Sequence, residues 1–195
     1  MGVRTVQKRK YIVEKARSVF CRNGYRAVTM KDIVDICEIS RGGLYLHFAS
    51  TRELFAAVLE EEHLRMAADL QAGMAKGATP GEQLLLYLDE QKKVIMKKKE
   101  NLTAATYEYL FENHLTAKNN PVKKWFDEDA ALLTHLITEG VKQEWMDCED
   151  AAEAARNILY TLEGLKVSAR AMGVTAARVD KEIEYIMGTL GMVVK

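Results

Sequence analysis

The stretch Val28-Thr29-Met30-Lys31-Asp32-Ile33-Val34-Asp35-Ile36-Cys37-Glu38-Ile39-Ser40-Arg41-Gly42-Gly43-Leu44-Tyr45-Leu46-His47-Phe48 decides how the rest of the chain is read. Thr29 followed three residues later by Asp32 is a capping pair: the hydroxyl satisfies a free backbone N–H at a helix start, and the carboxylate reaches back. Ile33, Ile36 and Cys37 then share one face of a short helix. Ser40 is a second cap, opening another short helix that carries Leu44, Tyr45 and Phe48. Arg41-Gly42-Gly43 stands in the first turn of that helix. Two glycines there cost about 1 kcal/mol each in helix propensity, so something other than stability keeps them. Close approach of the backbone to a partner is one such reason.

Outward from this pair, Ile12, Ala16, Val19 and Phe20 form one stripe of a helix over about residues 5–23, which Gly24 stops. On the other side, Ser50 with Glu53 opens a long helix whose Leu54, Phe55, Val58 and Leu59 face inward. Residues 1–55 hold eleven Lys and Arg against five Asp and Glu, a net of +6, while the remainder holds seventeen against twenty-three, a net of −6. The chain sums to zero only because a basic head sits on an acidic body, and a basic head suits a polyanion partner. Two short helices joined by a tight turn inside a basic three-helix head form a helix-turn-helix.

Downstream, the same signals repeat. Thr79-Pro80-Gly81-Glu82 opens a helix reaching about Lys99, Asn101 caps one through His114, and Asn120-Pro121 starts one reaching Gln143. Two more span about 150–172 and 175–190. With two prolines and twelve glycines in 195 residues, sandwiches and barrels are excluded for want of turns. The reading is all-α, about nine helices, divided into a helix-turn-helix domain over 5–50 and a larger helical body over 51–195. No run approaches the ~20 apolar residues of a membrane span, and the basic N-terminus lacks the apolar core of a secretory signal, so the expectation is a cytoplasmic protein with no membrane partner. Cys21, Cys37 and Cys148 are scattered and support neither a disulfide framework nor a zinc site.

The string Phe20, Gly24-Tyr25, Val28-Thr29-Met30, Ile33, Ile39-Ser40-Arg41-Gly42-Gly43-Leu44-Tyr45-Leu46-His47-Phe48 and Leu54 resembles the DNA-binding head of the tetracycline-repressor (TetR) family. The resemblance covers about a quarter of the chain in detail, and Glu139-Gly140-Val141 and Glu163-Gly164-Leu165 look like segments of family bodies. It implies a homodimeric repressor, released from a palindromic double-stranded operator by a small-molecule effector. Carried over by position, Thr29 and Lys31 would touch phosphates, Arg41 and Gly43 would face base edges, Tyr45 and His47 would grip the backbone, and Ser40 at the start of the recognition helix counts with this DNA-binding set. Three positions depart from the family pattern. Glu38 stands where the turn usually has glycine, Val34 where the second helix has a small alanine, and Thr51 where the fourth helix opens with lysine. A phosphate contact at Thr51 would pass to the helix-start N–H groups or to Arg52.

In the body, the helix from Leu102 to His114 is apolar on nearly every face and is expected to be buried all round. That makes Tyr107, Leu110, Phe111 and His114, with Tyr87, Met96 and Trp125 beside them, the candidate lining of a hydrophobic effector pocket. The stripes carrying Ile158, Leu162, Leu165, Ile183, Ile186 and Leu190 are expected to pair with a second copy as a four-helix bundle. No cofactor or metal is implied. Glu60 and His63 make one Glu-x-x-His pair, whereas a di-iron bundle needs two with two further glutamates. A helical protein-interaction adaptor is the other reading, and it would leave the basic head idle.

Overall fold

The computed structural model describes residues 3–75 and 79–192. Among them are nine helices and no strand: α1 (Val3–Asn23), α2 (Met30–Cys37), α3 (Arg41–Tyr45), α4 (Thr51–Met74), α5 (Pro80–Met96), α6 (Thr103–Asn113), α7 (Pro121–Lys142), α8 (Ala151–Ala171) and α9 (Ala176–Thr189). None is long and apolar enough to cross a membrane. The helices start where side-chain oxygens can satisfy orphan N–H groups. Thr29 and Thr79 each form the full reciprocal box with Asp32 and Glu82. Ser40, Asn120, Asp150 and Thr175 each accept from the backbone N–H three residues on. Before α6, Asn101 Oδ1 accepts the N–H of Thr103 at 2.7 Å, but Leu102 holds the cap position itself. The α5 helix stops at Met96, three residues short of the sequence expectation.

The chain divides into two compact units, Met1–Met66 with Lys98–Leu115 and Ala67–Lys97 with Thr116–Lys195. The first unit runs beyond 5–50: it takes in most of α4 and the whole of α6. Its interior is aromatic. Phe55 packs edge-on to Phe20 with centroids 4.7 Å apart, and Tyr25 meets Phe55 at 5.1 Å and Tyr109 of α6 at 5.2 Å. Such pairs add roughly 0.5–1.5 kcal/mol each beyond the area they bury.

This arrangement overturns the expectation that α6 is buried all round. Only Ala105 and Tyr109 are fully inside, Phe111 is 68% exposed, and His114 is exposed. The reason is that α6 lies on the head by one face. Glu108 and Glu112 on that helix have partners in the turn after α1, so they are not an interruption of an apolar cylinder but its polar grip.

In the second unit, α7 packs chiefly on α8 and α5, around Leu84, Tyr87, Leu133, Ile137, Leu159 and Leu162. The stripe expected to meet a second copy faces this core. Ile158, Leu162, Leu165, Ile186 and Leu190 are between 1% and 9% exposed in the single chain, and Ile183 is partly buried against the same core. Side chains already removed from water inside one subunit cannot be the surface it offers to another. The strongest apolar stripe of each helix is spent on its own fold.

Candidate nucleic-acid interface

The head turns on Gly24. Its φ of +79° is in the left-handed region, where a side chain is strained, and a Cβ there would stand 2.7 Å from Glu108 Oε2. The bare backbone lets that carboxylate accept the N–H groups of Tyr25 at 2.7 Å and Arg26 at 3.0 Å. Arg26 also meets Glu112 at 3.2 Å, and Asn113 Nδ2 donates to the Tyr25 hydroxyl at 3.3 Å. Across the head, Arg17 of α1 donates two bonds to Glu62 of α4 at 2.6 and 2.9 Å. Burial works against the Glu62 charge, yet Arg17 and Arg65 outweigh it and hold its pKa below the usual carboxylate value.

On this frame α2 and α3 are fixed by few apolar anchors, Ile33 and Cys37 in one and Leu44 in the other. The turn between them passes through Glu38 at φ +52°, ψ +43°. That is the left-handed conformation glycine adopts freely and glutamate does at a cost of order 1 kcal/mol. Ile33 is fully buried while Val34 is half-buried.

The side chains left outward are polar and mostly unpaired. Lys31 and Arg52 are exposed, without an ion-pair partner among the described residues. The Arg41 guanidinium lies over the Tyr45 ring at 5.5 Å, and Tyr45 itself is 43% exposed. His47 is half-buried at the end of the α3 turn. Ser40 Oγ accepts from Gly43 N–H at 3.1 Å, and its own hydroxyl hydrogen remains available. Thr29 is committed: its hydroxyl and its N–H both donate to Asp32, at 2.7 and 2.8 Å, and those bonds lower the Asp32 pKa. Thr51 is half-buried in the first turn of α4, where Ser50 Oγ accepts from Glu53 N–H at 3.2 Å. All eight sequence candidates, and Arg52 with them, fall in one unit, and the cations among them face solvent.

Residues 12–58 match the bacterial regulatory proteins of the tetR family, and residues 83–180 match the tetracyclin repressor-like C-terminal domain. The chain belongs to the TetR family. It is 31% identical to the HTH-type transcriptional regulator YfiR of Bacillus subtilis over 166 residues, covering 79% of this chain and 76% of that one. It is 26% identical over 122 residues to the HTH-type transcriptional repressor KstR of Mycobacterium tuberculosis, covering 62% and 56%. A transcriptional regulator from Saccharomonospora viridis, solved with choline, shares the fold with a TM-score of 0.83 at 19% identity, covering 94% and 96%. As a TetR-family member the chain is a ligand-responsive, DNA-binding regulator of transcription, and its relatives are regulators rather than enzymes.

The sequence candidates for the TetR-type effector site are divided between the units. Tyr107, Leu110, Phe111 and His114 belong to the first; Tyr87, Met96 and Trp125 belong to the second. Tyr87 is 1% exposed, and burial and the Asp129 carboxylate, to which its hydroxyl donates at 3.0 Å, raise its pKa. One residue escaped the sequence reading. Gln91 is 7% exposed in α5 and its Oε1 has no hydrogen-bond partner among the described residues. The signal was present: it interrupts the buried series Leu84, Tyr87, Leu88 and Ile95 at helical spacing. A buried acceptor without a donor costs roughly 1–3 kcal/mol. No group of three or more metal-ligating side chains occurs among the described residues.

Proposed function

We propose that the protein is a homodimeric repressor that holds a palindromic operator through two heads and lets it go when a small, largely apolar effector binds. The observation that carries the reading is the outward set on α2 and α3, where Lys31 and Arg41 are exposed and make no ion pair among the described residues, on a capped motif. Arg41 would read a base, since a guanidinium can fork onto guanine O6 and N7. Lys31, Tyr45 and His47 would hold phosphates. With Thr29 turned to Asp32, its part falls to positioning α2, and the contact expected near Thr51 falls to Arg52.

The dimer surface we propose is the outer face of α8 and α9, in place of the buried stripe. Tyr160, Val167 and Tyr185 are 67%, 42% and 71% exposed, and a Cβ built on Gly164 or Gly188 would meet nothing within 4 Å. Aromatic residues beside small ones offer the flat, close-packing contact that helix pairs use. For the effector, the donorless Gln91 amide points to a ligand with an apolar body and one hydrogen-bonding group. Effector and operator then oppose each other through the spacing of the heads, which must be about 34–36 Å to fill successive major grooves. Linkage requires the operator to weaken effector binding by the same factor.

Comparing Arg41→Ala with Lys31→Ala on operator and on random DNA tests the assignment. Arg41→Ala should lose about 1–3 kcal/mol of operator preference. Lys31→Ala should weaken both DNAs alike and lower the salt slope by about 1. Equal loss on both DNAs for Arg41→Ala would remove it from base reading.

A further inference from the structure

Three successive cations close the second turn of α1, and their surroundings differ. Lys10 pairs with Glu61 at 3.8 Å. The Arg9 guanidinium rests on the Phe48 ring, 4.8 Å from its centroid, which seats this part of α1 against the turn that follows α3. Lys8 has neither a carboxylate nor a ring as partner among the described residues. Its ammonium lies beside the bare backbone of Gly43: a Cβ built there would stand 3.7 Å from Lys8 Nζ and 3.1 Å from Ser40 Oγ. Gly43 is one of the two positions expected to face DNA from the recognition helix, yet it has no side chain to do so. The ammonium from α1 occupies the space beside it.

We infer that Lys8 is a DNA-phosphate contact supplied by α1, filling at Gly43 the place that a side chain on α3 would otherwise take. Lys8 lies outside residues 12–58, the span that matches the family's DNA-binding head, and outside the helix-turn-helix string read from the sequence. A lysine ammonium is a compact point charge with three donors and no fixed fork, which suits a phosphate oxygen better than a two-point base contact. Its charge adds to those of Lys31, Arg41 and Arg52 on the same unit without being cancelled by an acid. The inference rests on the DNA-binding reading of the head.

The test uses the full chain and a fluorescein-labelled duplex of random sequence, so that no operator is needed. Anisotropy titrations across a salt series compare the wild type with Lys8→Ala, Lys8→Arg and Lys31→Ala, each first checked for an unchanged thermal transition. Each phosphate contact contributes about 0.9 to the slope of log affinity against log salt. Lys8→Ala should therefore lower the slope by about 0.9 per bound chain, and Lys8→Arg should restore it. A Lys8→Ala slope equal to the wild type, beside a lowered Lys31→Ala slope, overturns the inference and leaves the DNA-binding reading intact. A Lys8→Ala loss confined to a preferred sequence at unchanged slope overturns it in favour of base contact. No salt-dependent binding by the wild type overturns both readings.

Discussion

The α2–α3 pair and the α8–α9 pair are each two helices with an apolar face, and in both the surface proposed for a partner lies away from it. In the head, three buried anchors hold the short helices, and what matters is the remainder: exposed cations and the capped start of α3 with its two glycines. In the body, the strong stripes of α8 and α9 tempt a reading as an interface. They are core instead, with Leu162 at 1% and Leu190 at 1% exposure. The weaker outer face, with Tyr160, Gly164 and Tyr185, is what a second copy could reach. Periodicity reports what the chain buries in itself. Residues that meet another molecule are those the periodicity leaves over.

The sharpest way to break this contrast is to truncate one residue from each face of α8. Leu162→Ala should cost about 2–5 kcal/mol of unfolding free energy by transfer and cavity terms. Tyr160→Ala gives up its ring contact with Phe126, centroids 5.0 Å apart, and should cost the dilute monomer only about 0.5–1.5 kcal/mol, while raising the monomer fraction in sedimentation. A Leu162→Ala chain that stayed stable but dissociated would return the stripe to the interface.

Next in size is the grip of α6 on the head. Glu108→Ala removes the acceptor for the Tyr25 and Arg26 N–H groups, and should cost about 1–3 kcal/mol by chemical denaturation. Hydrogen exchange should quicken first in the turn after α1. Little change would mean that water replaces the carboxylate there.

The two units also differ in how far they could be read beforehand. Helix starts were legible nearly everywhere, because Thr29, Ser40, Thr79, Asn120, Asp150 and Thr175 announce themselves by chemistry local to three or four residues. The recognition motif was legible for the same reason. The placement of α6 was not: Tyr109 meets Tyr25 across 84 positions of chain, and no local period encodes that pairing. The backbone N–H groups that make Glu108 structural were equally remote. Gln91 was visible only as one polar residue in a buried series, a pattern that takes its meaning from burial.

The tie between Arg17 and Glu62 gives a pH signature confined to the head. The folded-state pKa of Glu62 lies below its ordinary value of 4.5. Its stabilisation is therefore full above that value and is lost as pH falls through the folded-state pKa. Glu62→Gln should cost about 1–2 kcal/mol at neutral pH, and the gap to wild type should narrow as the buffer is taken toward about pH 3. A gap independent of pH would show that the charge of Glu62 contributes nothing.

The smallest effect is a gain. Glu38→Gly relieves a left-handed residue in the turn and should raise stability by up to about 1 kcal/mol, read from the denaturant midpoint. A loss would show that Glu38 makes a stabilising contact that outweighs its strain.

The most direct test of the central claim is fluorescence anisotropy of the purified protein on labelled DNA from upstream of its own gene, against scrambled DNA, at two salt concentrations. The account predicts tight binding to the upstream DNA alone, weakening steeply with salt, at two chains or a multiple of two per site. Weak and equal binding to both DNAs, indifferent to salt, would contradict it.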